Sequence, residues 1–160
     1  MEEPEPARKG TAKMATETVT EIVTDFISVS TKGDTDIIDI TGELSALLKK
    51  HRFVEGHVLV FVPGSTAALT TVEHEPGLLK DLPEFFERIV PRSGRYHHEE
   101  TWHDGNGHSH VRASLIGPGL TVPFHEGRLL LGEWQQVILV DFDNRSRARE
   151  VVTQFTGRRG

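Results

Sequence analysis

Leu129–Asp143 reads LLLGEWQQVILVDFD. From Trp134 to Phe142 this is a strand, rich in β-branched and large apolar residues. Gly132 permits a bend or bulge ahead of it. Trp134 is then expected against the core. Side chains alternate along a strand, so Gln135 and Gln136 must point to opposite faces, and one of them can face a pocket. Beyond the strand, Asn144–Arg149 holds three arginines, Arg145, Arg147 and Arg149, at alternate positions. On an extended segment they would share a face and could clamp an anion; as a solvated turn they would do nothing.

Moving outward, the same reasoning predicts further strands over 18–30, 36–40, 57–62, 67–72, 108–115, 119–123 and 150–155. Thr41 opens a helix running to about Arg52, with Leu44, Leu47 and Leu48 at helical spacing. Glu75–Gly77 opens another helical pattern, which Pro83 should divide into two short helices. Residues 92–107 read as a long polar loop, and loops of that length inside a domain tend to be functional. Strands and helices intermix with too few crossovers for a doubly wound sheet. The expected architecture is α+β, with a largely antiparallel sheet or sandwich and a few short helices. Residues 1–17 are rich in Pro, Glu, Lys and Thr and are expected to form a disordered tail, leaving one domain over 18–157. The end, from Thr156 and certainly over 158–160, is expected to fray.

The 160 residues suffice for a single core. A net charge of −6 argues against a nucleic-acid or anionic-membrane surface, but permits a small anionic ligand held by a few local donors. No apolar run reaches the ~20 residues that span a bilayer. No secretory leader is evident, so a cytoplasmic location is expected. With no cysteine, thiolate chemistry and disulfides are excluded, and any metal must take nitrogen and oxygen ligands.

Histidine is the densest chemical feature. His97, His98, His103, His108 and His110 fall within fourteen residues. On the expected strand, His108 and His110 would present both rings on one face, which suits Zn²⁺ better than Mg²⁺. His98, Asp104 or Glu73 could complete the ligand set. The same imidazoles fit acid–base or phosphate chemistry without a metal, and the sequence does not separate the two readings. No organic cofactor is indicated. Gly64–Ser65–Thr66 is a small-residue turn after an apolar strand. Its backbone N–H groups and hydroxyls could hold phosphate oxygens, or could merely satisfy the turn.

Taken in order, PGSTAALTTVEHEPGLLKDL, RYHH, GNGHSHVRASLIGP and GRLLLGEWQQVILVDFDNRSRAR resemble the YjbQ-like family, also called secondary thiamine-phosphate synthases. The resemblance spans about Thr18–Gly157. It implies a small α+β fold containing a β-sandwich, assembled as a homotrimer. It also implies a secondary activity joining hydroxymethylpyrimidine diphosphate to thiazole phosphate with release of pyrophosphate. Carried over by motif, the resemblance places His98, His110, Glu73 and Gln135 at the reacting centre. It implies a small phosphorylated ligand near Ser65, Thr66, Arg147 and Arg149, while the histidine pattern itself points to a divalent metal at His98, His108 and His110. This chain has Gly64 where many members carry a histidine, and Gly105–Asn106 where many carry an acidic pair.

Overall fold

The computed structural model describes residues 19–160. The tail expected over 1–17 lies outside the described residues. In chain order the elements are β1 (Glu21–Thr31), β2 (Asp36–Asp39), α1 (Thr41–Lys50), β3 (Phe53–Phe61), β4 (Ala67–Val72), α2 (Leu78–Ile89), α3 (Glu99–Trp102), α4 (Gly107–Ile116), β5 (Gly119–His125), β6 (Arg128–Leu129), β7 (Gln136–Asp141) and β8 (Arg147–Arg159). They form a five-stranded sheet in the order β1-β8-β3-β5-β6 and a three-stranded sheet in the order β2-β7-β4. Every strand pair is antiparallel. The α+β sandwich expected from the residue pattern is therefore the observed architecture.

β7 organises the layers. Its side chains alternate, and both faces are buried. Val137 and Leu139 enter the main core with Val58, Val60, Val151 and Phe155 of the larger sheet and Leu44 and Leu48 of α1. Ile138 and Val140 point the other way, into a second cluster with Ala68, Phe86 of α2 and Ala113 of α4. The molecule is thus sheet on sheet, with α2 and α4 covering the outer face of the smaller sheet. Where β3 meets β8 the register shifts between Phe53 and Glu55. There Gly56, at φ +145°, lies so close to the β8 backbone that any Cβ would collide with Thr156 O.

Four local expectations are corrected. The stretch 108–115, read as a strand, is helix α4. Its buried positions are Gly107, His108, Ser109, Arg112 and Ala113, a helical spacing. Three of the five are polar, so no apolar periodicity marks them. Ser109 and Arg112 find partners that only the fold supplies. Ser109 Oγ donates to Phe142 O at 2.5 Å, and Arg112 reaches Val90 O, Thr35 Oγ1 and Glu87 Oε2 at 2.6–3.1 Å.

Second, α2 is one helix through Pro83. A proline inside a helix costs roughly 3 kcal/mol. Burying Leu82 and Phe86, whose ring meets Phe142 edge-on at 4.9 Å, offsets that cost. Third, Trp134 is 66% exposed, because it lies in the turn before β7 and not in the strand. Fourth, the C-terminus does not fray. β8 pairs with β3 as far as Arg159, and Gly160 N donates to Arg52 O at 3.0 Å.

Leu139→Ala should cost about 2–5 kcal/mol, because a fully buried side chain in β7 is lost. Trp134→Ala should change stability by no more than about 0.5 kcal/mol. Urea denaturation of the two variants checks both, and equal losses would contradict this placement of Trp134.

Candidate functional site

The site is built on a pair of buried carboxylates at the end of β7. Asp141 and Asp143 are both fully buried. Asp141 accepts Arg149 Nε and Nη2 at 2.8 and 2.7 Å, and Thr31 Oγ1 at 2.5 Å. Asp143 accepts Arg147 Nε at 2.7 Å and Thr66 Oγ1 at 3.2 Å. Burial opposes ionisation of Asp143, but its bond to Arg147 and that charge hold its carboxyl below the ordinary aspartate range. These bonds join the ends of β1, β4, β7 and β8.

The small-residue turn is held by the same network. Thr66 Oγ1 donates to Asp143 and accepts Arg149 Nη2 at 2.9 Å, so its hydroxyl is fully engaged. Nη1 of Arg149 takes no part in those bonds. It stands beside Gly64, 3.4 Å from where a Cβ would lie, and Gly64 holds φ +128°. A side chain there would be strained and would meet the guanidinium. Gly64 and Ser65 line a hollow of about 170 Å³ with His110, Ala113 and Ser114 of α4. One small cavity is therefore bordered by a small-residue turn, a hydroxyl and an imidazole, and the Arg149 guanidinium lies beside Gly64 of that turn.

The His110 and His98 rings lie against each other at a tilt, with centroids 4.3 Å apart and planes at 39°. His98 Nε2 is buried with no hydrogen-bond partner; the nearest carboxylate oxygen, Asp104 Oδ1, is 3.5 Å away. The loop carrying these groups is held by Glu99, whose carboxylate accepts Gly105 N and Gly107 N at 2.7 and 2.8 Å. Those bonds lower the Glu99 pKa and set the start of α4. Burial lowers the His110 pKa below the usual histidine value, and the neighbouring His98 adds to the effect. His110 is thus held neutral near pH 7, able to accept a proton or a hydrogen bond.

Other expected residues do not join this group. Two residues along a helix is over half a turn, so His108 points away from His110. It is buried beside Tyr96 and Arg112, and burial together with the Arg112 charge lowers its pKa. The expectation that both rings share a face fails because the segment is a helix. Gln135 lies elsewhere too. Its Nε2 donates to Thr71 Oγ1 and its Oε1 accepts Gly132 N, both at 3.0 Å, which pins the turn before β7. Glu73 is exposed at the far end of β4 from Ser65. Six strand residues, at ~3.3 Å each, put it roughly 20 Å away. Within one subunit, His98 and His110 therefore do not share a pocket with Glu73 and Gln135. Arg147 is close, but its Nε is committed to Asp143.

A divalent metal fits this donor set poorly. Among the described residues no group of three or more His, Cys, Asp or Glu is placed to hold an ion. His98 and His110 come together as a pair, and no third ligand joins them. Sequence reasoning passed over Asp141, Asp143 and Arg112. Nothing in a linear pattern marks a carboxylate as buried: Arg147 lies four residues from Asp143, but only the packed layers show that Asp141 and Asp143 are enclosed.

The fold and this cluster define a class: a small antiparallel sandwich with two helices on one side and a polar histidine–arginine site at the strand ends. The family model described as UPF0047 protein YjbQ-like matches residues 25–158. A UPF0047 protein of Archaeoglobus fulgidus is 36% identical over 128 residues, covering 80% of this chain and 97% of that one. A UPF0047 protein of Mycobacterium tuberculosis is 34% identical over 132 residues, covering 82% and 96%. Among solved structures, a YbjQ-like protein of unknown function from Sulfolobus solfataricus superposes with a TM-score of 0.82 at 31% identity, covering 87% of this chain and 99% of that one. A YjbQ/UPF0047 protein of Clostridium acetobutylicum gives 0.74 at 30% identity, covering 82% and 98%. The chain belongs to the YjbQ/UPF0047 family.

The lowered pKa values carry a signed prediction. Between the folded values of His108 and His110 and the ordinary ~6.5, the unfolded chain binds protons that the folded chain does not. Their contribution to stability is thus present above ~6.5 and lost as pH falls through that window. Urea midpoints should drop between pH 7.5 and 5.5, and His110 should titrate below ~6.5 by NMR. His98→Ala should move the His110 midpoint upward; no movement would contradict the repulsion between the two rings.

Proposed function

We propose that the hollow between the Gly64–Ser65 turn and α4 binds the phosphate of a small phosphorylated ligand. His110 supplies the group that exchanges a proton or hydrogen bond with it. The observation that carries this reading is Nη1 of Arg149, outside the bonds to Asp141 and Thr66, standing beside Gly64, which lines the cavity with Ser65 and His110. A guanidinium already anchored by a buried carboxylate is oriented in advance, so little freedom is lost when it meets an anion.

The coupling reaction implied by the family resemblance is a secondary activity of this site. In it the thiazole nitrogen forms a bond to the methylene carbon of the pyrimidine, and the bond from that carbon to the diphosphate oxygen breaks. Pyrophosphate leaves with its electron pair, and Arg149 offsets the charge that develops. A volume of about 170 Å³ suits one phosphate and its immediate neighbour, not two heterocyclic substrates, which need several hundred Å³. Phosphate binding is therefore the primary reading and efficient coupling the lesser one. The homotrimer implied by the family would cover apolar groups that a single subunit exposes. Phe26, Val152 and Phe61 lie in one row across β1, β8 and β3, with Phe26 52% and Phe61 39% exposed.

Calorimetry with inorganic phosphate should give binding that weakens about tenfold or more in His110→Ala, roughly the 1.5–3 kcal/mol of a hydrogen bond to a charged group. Unchanged binding would remove His110 from the site. Purified protein given the pyrimidine diphosphate and thiazole phosphate should release pyrophosphate slowly, and His110→Ala should not. Metal analysis of the same sample is expected to find no stoichiometric ion; stoichiometric zinc would favour the metal reading over the phosphate one. Sedimentation should give a trimer, and a monomer alone would contradict the assembly.

A further inference from the structure

A cavity of about 350 Å³ opens between α1, the β5–β6 hairpin and the turn before β7. It lies at the other end of β4 from the Gly64 hollow, since Gln135 in its wall bonds Thr71. The LLLGEWQ segment takes no part in phosphate binding, yet it builds this wall. Gln135 Oε1 accepts Gly132 N and its Nε2 donates to Thr71 Oγ1, so the carboxamide fixes the shape of the turn. The turn in turn places Leu131 in the cavity. Leu48 of α1 and Leu129 of the hairpin join it there. Leu48 is fully buried, whereas Leu129 and Leu131 pack on the main core and stay partly open. Three leucines thus give the cavity an apolar floor.

The polar groups around that floor are hydrogen-bond donors. Thr41 Oγ1 accepts Val137 N at 2.9 Å, which leaves the hydroxyl its own proton to donate. Ser45 lines the cavity one turn further along α1 and is exposed. Arg128 lines it from the hairpin and is exposed as well. Lys49 follows Leu48 and stands one turn beyond Ser45. The lysine and arginine ion pairs among the described residues include neither Arg128 nor Lys49. No carboxylate lines the cavity. Of the acidic neighbours in sequence, Glu126 lies 3.9 Å from His125 Nε2, and Glu133 is exposed outside the lining.

We propose that this cavity binds a monocarboxylate with a compact apolar body. The carboxylate meets Arg128 and the hydroxyls of Ser45 and Thr41, and the body rests on Leu48, Leu129 and Leu131. One guanidinium matches one carboxylate through two parallel N–H bonds. A phosphate dianion would bring a second charge to the same guanidinium and would gain nothing from the leucines. The volume falls within the range of about 300–1,000 Å³ that holds small organic ligands. This site goes beyond the phosphate reading of the Gly64 hollow and does not depend on it. It also gives the Gly132–Gln135 bond a purpose, because that bond holds the turn that carries Leu131.

Phenylacetate titrated into the full chain, followed by NMR, tests this. The backbone amides of Gly127 and Gly132 and the side-chain amide of Gln135 should shift, and the ring protons should show contacts to the Leu129 and Leu131 methyl groups. Arg128→Gln, at an exposed position, should weaken binding about tenfold or more with the fold unchanged. Acetate, which has the charge without the body, should bind at least about tenfold more weakly than phenylacetate. Excess inorganic phosphate should not displace the probe. The proposal is overturned if these amides do not respond in the wild type, or if Arg128→Gln binds like the wild type. Acetate or phosphate binding here as well as phenylacetate would also overturn it, leaving a bare anion on a surface arginine. So would shifts confined to His110 and its neighbours, which would put the probe in the Gly64 hollow. Loss of phosphate binding at His110 leaves this site standing, so the two readings fall separately.

Discussion

Two carboxylates, Asp141 and Asp143, sit at zero exposure at the end of the strand buried on both faces, and the rest of the polar architecture hangs from them. An ionised group so placed is tolerable only when paired and hydrogen-bonded. Arg149 and Arg147 from β8, Thr31 from β1 and Thr66 from the turn before β4 supply the pairing. The demand runs in both directions. The carboxylates hold the arginines, and the arginines fix where the Gly64–Thr66 turn lies against α4. A cluster of this kind adds little net stability, since desolvation cancels much of the attraction. What it does is orient: the carboxylates set where both guanidiniums lie, and Nη1 of Arg149 and the terminal nitrogens of Arg147 stay outside these bonds.

α4 shows the same logic in a helix. Its buried face is Gly107, His108, Ser109, Arg112 and Ala113, a choice that would be destabilising against an apolar layer. Arg112 resolves it by bonding the last carbonyl of the α2 region, Val90 O, together with Thr35 and Glu87. Polar groups spent on structure here are distinguishable from polar groups left over. Arg112, Ser109 and Glu99 have their partners, whereas His98 Nε2 and Asn106 Oδ1 have none. That contrast marks which buried polar atoms of this region the scaffold satisfies and which it leaves unpaired.

The apolar elements were readable from the residue order. Leu44 and Leu48 in α1 and the apolar runs of β4 and β7 each follow a pattern that a linear reading preserves, and the structure bears them out. Where burial is polar the reading failed. His-Ser-His alternates as a strand would, yet it forms a helix because Phe142 O, Val90 O and the Glu99 carboxylate complete its bonds from distant segments. Pro83 read as a break because the local cost is visible and the aromatic contact that offsets it is not.

For the site, residue types carried part of the answer. An arginine pair at alternate positions, a small-residue turn and a histidine-rich loop are all legible, because charge, size and acid–base character belong to the side chain itself. Convergence is not such a property. His98 meets His110 while His108 turns away, and Gln135 pins a turn at one end of the sheet while Ser65 lies at the other. Those outcomes depend on helical pitch, strand length and which buried group claims which partner. Each of these is settled only when the layers pack and every polar atom must find a bond or go without.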